Sequence, residues 1–139
     1  MDIYLDIDGV LLGTASPIED TVKLADHIIT RYPGHIYWLS THCRHRENRC
    51  AEWLRANDFP EDLVRKLDAA VRPLYWETFK TEAIDFLRPF VWLDDEPLLS
   101  ELRRLEEHGA GSSVFVMDKR DPNAARLALE HLKALDDGI

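Results

Sequence analysis

Asp2-Ile3-Tyr4-Leu5-Asp6-Ile7-Asp8-Gly9-Val10-Leu11-Leu12 is the stretch from which the fold of this chain can be read. The apolar, partly β-branched run predicts a strand buried on both faces, and the glycine turn after it predicts where that strand stops. Two carboxylates, Asp6 and Asp8, stand at its end. Alternate residues of a strand face the same way, so a turn here can gather both. Anions held that close raise each other's pKa unless a cation or hydrogen-bond donors keep them ionised. A strand that ends in such a pair points to a shared metal ion or a shared proton.

Outward from this strand, apolar segments alternate with helical periodicity. Ser16-Pro17-Ile18-Glu19 has the form of a capping box, with Ser16 at the N-cap and Pro17 at the first helical position. The helix it opens runs to about Tyr32, before Pro33-Gly34. His35–Ser40 predicts a second strand, and a helix is expected from about Arg44 to Asn57. A third helical stretch starts at Pro60-Glu61-Asp62 and ends before Pro73. Leu74-Tyr75-Trp76 reads equally as a short edge strand or a loop. A short helix over Lys80–Leu87 is followed by a strand at Phe90–Asp94, a helix at Leu98–Glu107, and a strand at Ser113–Met117. The last helix opens at Pro122, with Leu127, Leu129, Leu132 and Leu135 expected to pack inward.

Alternation of this kind predicts an α/β fold: a doubly wound, Rossmann-like, mostly parallel sheet of about four strands flanked by helices. The expected strand order is last strand, Phe90 strand, first strand, Ile36 strand. The chain has 139 residues and no linker or repeat, so a single domain spanning 1–139 is expected, with roughly 68–70% of its unfolded surface buried. No apolar run approaches the ~18 residues of a membrane helix, and Met1 leads directly into the first strand, so no membrane association and a cytoplasmic location are expected. Cys43 and Cys50 are placed on one helix, which disfavours a disulfide between them and suits a reducing compartment. The formal charge of −9 excludes a generally nucleic-acid-coating surface while leaving room for a local basic site.

The strand ends carry the chemistry. In open parallel sheets, sites form beyond the carboxyl ends of the strands. There the first strand presents Asp6 and Asp8, the second Ser40 and Thr41, and the Phe90 strand Asp94 and Asp95, with Lys80 on a short helix before it. Taken alone, each has a plain explanation: strand-ending acids, helix-capping hydroxyls, a solvated lysine, an acidic helix start. Their succession in this order resembles the four motifs of the haloacid dehalogenase (HAD) superfamily. That resemblance implies a Mg²⁺-dependent phosphatase of the small type without a cap domain. It implies Asp6 as the phosphoryl-accepting nucleophile and Asp8 as general acid/base. It implies Ser40 or Thr41 as phosphate ligand, Lys80 as the charge that neutralises phosphate and nucleophile, and a magnesium site built from Asp6, Asp8 (through its backbone carbonyl), Asp94 and Asp95. General chemistry agrees. Carboxylates serve as covalent nucleophiles, Mg²⁺ takes hard oxygen ligands, and phosphoryl transfer needs dispersal of charge over the equatorial oxygens.

About 30 residues separate Asp8 from Ser40 and about 40 separate Ser40 from Lys80, too few for a lid domain in either gap. An open site suits phosphate carried on a large substrate. Arg44, Arg46 and Arg49, with His42 and His45, form an expected positive rim at the start of the helix after Ser40, where helix N-termini already favour anions. Lys119 and Arg120 follow the last strand at the same end. This rim suggests a phosphorylated nucleic-acid end as substrate, and the tryptophan-bearing strands are similar to uncapped HAD domains of RNA-repair proteins. His42, Cys43, His45 and Cys50 fit none of the usual zinc spacings. The alternative function is a non-catalytic phosphate-binding or receiver-like regulatory domain, which Asp8 disfavours because it supplies the acid/base that turnover requires. Oligomeric state is not legible.

Overall fold

The computed structural model describes residues 1–137. Five strands form one all-parallel sheet: β1 (Asp2–Leu5), β2 (Ile36–Trp38), β3 (Arg72–Pro73), β4 (Phe90–Asp94) and β5 (Val114–Val116), in the order β3-β2-β1-β4-β5. Five helices flank it: α1 (Ile18–Arg31), α2 (Cys50–Ala56), α3 (Glu61–Ala70), α4 (Leu99–Glu107) and α5 (Ala124–Asp137). The expected order of four strands is present, and a fifth sits beyond β2. That fifth strand is Arg72–Pro73, just before the stretch left open as strand or loop. Leu74 continues its pairing by donating to the Trp38 carbonyl at 3.1 Å. Pro73 lacks an amide hydrogen and is tolerated because β3 is an edge. No cap domain interrupts the described residues.

The period-2 alternation of the strands divides the core into two faces. Ile3, Leu5, Ile36, Trp38, Val91 and Leu93 pack on one side with α1, α2, α3 and α5, while Tyr4, Phe90 and Trp92 pack on the other with Leu105 of α4, Trp76 and Ile84. Each fully buried leucine or isoleucine in these layers contributes about 1.5–3 kcal/mol by leaving water. The central strand β1 is buried at every position, as its unbroken apolar run requires.

Several local expectations are corrected. Ser16 does not cap α1: the helix begins at Ile18 with Pro17 before it and no side-chain cap. Ser16 Oγ instead accepts from the Ala125 amide at 3.1 Å, tying the entrance of α1 to that of α5. The last helix starts at Ala124, and its buried face is Ala124, Ala125, Ala128 and Leu132. Leu127 and Leu135 point outward, 42% and 38% exposed, because small alanines let α5 lie close against α1. The helix expected over Lys80–Leu87 shortens to one 3-10 turn, Lys80–Ala83.

The largest departure follows β2. No helix starts at Arg44. A 3-10 turn covers Thr41–Cys43, and a loop runs to Arg49 before α2 opens at Cys50. The Arg49 amide closes this loop on the His42 carbonyl at 2.8 Å, Asn48 Oδ1 accepts from the Cys50 amide at 3.1 Å, and Arg46 takes φ 65°. Cys43 and Cys50 therefore lie on separate elements rather than one helix, both buried and both free. The Cys43 thiol sits at 3.4 Å from the Ser40 carbonyl and 3.2 Å from that of Leu74, linking the ends of β2 and β3.

Candidate active site

The register of the sheet puts the acidic residues together. β1 and β4 pair Leu5 with Leu93, so one step further along the same register Asp6 stands beside Asp94. The ladder continues past the strands: the Asp6 amide donates to the Leu93 carbonyl at 3.1 Å, and the Leu39 amide to the Leu5 carbonyl at 3.0 Å. Parallel strands share a carboxyl end, and every expected site residue follows from there.

Carboxylate oxygens of Asp6, Asp94 and Asp95 lie within 4.8 Å of one another. Asp6 and Asp94 are 7% and 2% exposed, so bulk water does little to solvate their charge. Lys80 bridges them, its ammonium 3.1 Å from Asp6 Oδ2 and 2.6 Å from Asp94 Oδ2. The other oxygens accept from the backbone: Asp6 Oδ1 from the Ile7 amide at 2.8 Å, Asp94 Oδ1 from the Glu96 amide at 3.0 Å. Each carboxylate is thus fixed in orientation while keeping lone pairs free.

The electrostatics follow from this burial. Desolvation pushes Asp6 up to about 6, opposed by the Lys80 charge and reinforced by Asp94. Burial, then the neighbouring Asp94, also raises Asp95. For Lys80 burial alone would lower the pKa, yet the fields and hydrogen bonds of Asp6 and Asp94 outweigh it and the net shift is upward. The lysine stays charged, as a counter-ion to two buried acids must.

Other parts of the chain hold Lys80 in place. The Thr81 amide beside it donates to the buried Glu101 Oε2 of α4 at 3.0 Å. Glu82 collects the amides of Glu77, Thr78 and Phe79 at 3.3, 3.2 and 2.7 Å, shaping the approach to the turn.

Ser40 and Thr41 separate clearly. Ser40 is fully buried at the end of β2, and its Oγ accepts from the His42 amide at 3.2 Å, leaving the hydroxyl hydrogen to donate elsewhere. Thr41 is exposed. Asp8 is set apart from the other acids. Its carboxylate is not in the cluster but is held by His42 Nε2 at 2.8 Å from Oδ2 and by the Trp53 indole, whose Nε1 donates to Oδ1 at 2.9 Å. Neither partner was legible, because they lie 34 and 45 residues away with no motif connecting them.

The expected rim is only partly a rim. Arg44 faces inward, its guanidinium donating to the Glu77 carbonyl and stacking 4.4 Å above the Trp76 ring. Arg46 is exposed, and Arg49 is exposed and paired with Glu47 at 3.0 Å. Because the segment is a loop, no helix N-terminus at Arg44 adds its dipole. Lys119 approaches the acidic pair, 3.9 Å from Asp95 Oδ2.

The donor set fits a hard divalent cation. Three carboxylates converge without any thiolate or imidazole among them, which suits Mg²⁺. Gly9, with φ +79°, lies so close under Asp95 that any Cβ there would overlap the carboxylate, so this acid is seated against backbone. No protein-family model, curated protein or solved structure matches the chain.

Proposed function

We propose that the chain is a Mg²⁺-dependent phosphomonoesterase of the uncapped HAD type, working through an aspartyl-phosphate on Asp6. The observation that carries this reading is the Lys80 ammonium lying between Asp6 and Asp94 at the carboxyl end of the sheet. Three segments remote in sequence converge there on a nucleophile, a fixed positive charge and an acidic cation site. A structural ion pair would need neither the third carboxylate nor an oriented acid beside it.

The residues divide the chemistry. Asp6 presents an ionised oxygen for in-line attack on phosphorus, and Lys80 disperses charge that develops on the phosphoryl oxygens. Ser40 offers its free hydroxyl hydrogen to the same oxygens. Asp8 stands outside the cation cluster, where it would protonate the leaving oxygen and then accept a proton from the hydrolytic water. Asp6, Asp94 and Asp95 would hold Mg²⁺, with the Asp8 backbone carbonyl as a further ligand. The ion would supply electrostatic stabilisation of the transferring group.

With no cap domain over the site, phosphate on a large molecule is the substrate form we infer, and a phosphorylated nucleic-acid end is the specific case. Beside the loop after β2 lies a cleft of about 500 Å³ lined by Arg44, His45, Arg46, Tyr75 and Trp76 together with the acids Glu77 and Glu82. A basic side chain and aromatic rings are what a sugar-phosphate backbone and its bases engage.

Hydrolysis of sugar phosphates, nucleotides and end-phosphorylated oligonucleotides, measured with Mg²⁺ and with excess chelator, tests the reading. Turnover should require the cation and vanish in Asp6→Asn while the fold is kept. Full activity of that variant, or activity indifferent to chelator, would overturn it.

A further inference from the structure

Asp8 belongs to the same short loop as Asp6, yet its carboxylate is turned away from the other three. On a half-exposed loop an aspartate ordinarily samples several rotamers, and a cation held by Asp6, Asp94 and Asp95 would draw in a fourth free carboxylate so near in sequence. An acid captured in that way could not serve the leaving group. Something must hold Asp8 out.

The structure contains such a device. His42 and Trp53 occupy both oxygens of Asp8, at 2.8 and 2.9 Å. Their rings stack with centroids 4.6 Å apart and planes 22° from parallel, so neither donor can swing without disturbing the other. His42 is anchored in turn through its own backbone. Its amide donates to Ser40 Oγ at 3.2 Å and its carbonyl accepts from the Arg49 amide at 2.8 Å. The imidazole thus connects the buried serine at the end of β2 to the acid at the end of β1. Trp53 can only donate, whereas an imidazole nitrogen can donate or accept. The His42 contact therefore survives whether or not Asp8 carries a proton.

We propose that His42, braced by the Trp53 indole, is the positioning residue that holds Asp8 on the leaving-group side of the site and out of the cation cluster. This rests on the phosphatase reading above. In the first step an Asp6 oxygen bonds to phosphorus, the bond from phosphorus to the leaving oxygen breaks, and the Asp8 proton passes to that oxygen. In the second step water bonds to phosphorus, its proton returns to Asp8, and the Asp6–phosphorus linkage breaks. Correct placement of an acid or base is worth about 10²–10⁴-fold, and only where the leaving oxygen needs a proton.

The test compares two substrates in the first step, followed as single-turnover release of the alcohol or phenol at saturating Mg²⁺. Benzyl phosphate has a leaving group that must be protonated; p-nitrophenolate leaves without help. His42→Ala should slow benzyl phosphate about 10–100-fold and p-nitrophenyl phosphate only severalfold, while Asp8→Asn, which removes the acid itself, should show the same selectivity with the larger loss of about 10²–10⁴-fold on benzyl phosphate. His42→Gln, which keeps a nitrogen donor, should recover much of the loss. Trp53→Phe preserves the stack but removes the indole donor, and it should show the same selectivity more weakly, which keeps the test open if His42→Ala does not fold. Equal losses on both substrates, or none, would overturn the positioning role while leaving the phosphatase reading intact. A wild-type protein that releases neither product would overturn both.

Discussion

Gly9 and Asp95 are packed so tightly that a Cβ on Gly9 would overlap the Asp95 carboxyl carbon and Oδ2. The same glycine has φ +79°, a region where a Cβ is strained in any case. Gly9→Ala should therefore destabilise the fold by at least about 1–2 kcal/mol and displace Asp95. Urea unfolding with and without Mg²⁺ checks this. The variant should lose stability in both conditions and gain less from Mg²⁺ than wild type. An equal Mg²⁺ gain would mean that Asp95 does not contribute to holding the ion.

Mg²⁺ should stabilise the folded protein, because the unfolded chain has no converged carboxylates. At 100 times Kd the gain is about 2.7 kcal/mol, roughly 5–10 °C in melting temperature for a domain of this size. Lys80→Ala removes the ammonium that bridges Asp6 and Asp94. Leaving buried acids without their partner costs about 3–5 kcal/mol, so the variant should melt lower without metal and show a larger Mg²⁺ shift than wild type. Calorimetric melts at several Mg²⁺ concentrations measure both effects; an unchanged or smaller shift would speak against a cation competing for the place of the lysine.

The pH dependence follows from Asp6, raised from its ordinary value of 3.8 to about 6 by burial. A carboxyl whose folded pKa is raised binds more protons folded than unfolded. Its contribution is fully present below the unfolded pKa and is lost as pH rises through the folded pKa. Without metal, stability from this group should therefore decline between about pH 4 and 6, by about 3 kcal/mol at most. Mg²⁺ requires the ionised form, so its affinity should weaken as pH falls below about 6. Urea midpoints across pH 4–8, with and without Mg²⁺, should converge toward the acid end.

Arginines of the loop after β2 should behave differently from one another. Arg46→Ala should flatten the salt dependence of KM for a phosphorylated oligonucleotide, by about 0.7 in log–log slope for each single-strand phosphate that the arginine had neutralised. Arg44→Ala should instead destabilise the protein by about 1–3 kcal/mol, because it removes a charged hydrogen bond and a cation–π interaction. Kinetics from 50 to 300 mM salt together with thermal melts would separate the two roles. A salt slope unchanged by Arg46→Ala would remove the case for a nucleic-acid end.

The parallel α/β architecture, the order of its four main strands and the location of Asp6, Ser40, Lys80, Asp94 and Asp95 were all legible in one dimension. Hydrophobic periodicity and strand-ending polar residues are local signals, and a parallel sheet delivers all strand ends to one side. Where residues interact only across the fold, the sequence is silent. Nothing in the sequence separation of 34 between Asp8 and His42 announces their contact. Ser16 looks like a cap for α1 but bonds the start of α5. The segment Arg44–Arg49 has helical composition but is a loop, because the Arg49–His42 bond, the Asn48 turn and the Arg44 clasp on Glu77 satisfy its polar groups more fully than another turn of α2 would. Local propensities are worth a few tenths of a kcal/mol per residue, and one buried or charge-assisted bond outweighs several of them. The chain therefore specifies its sheet and the strand-end placement of most candidate-site residues locally, while tertiary packing decides which carboxylates meet Lys80 and which one is held by His42 and Trp53.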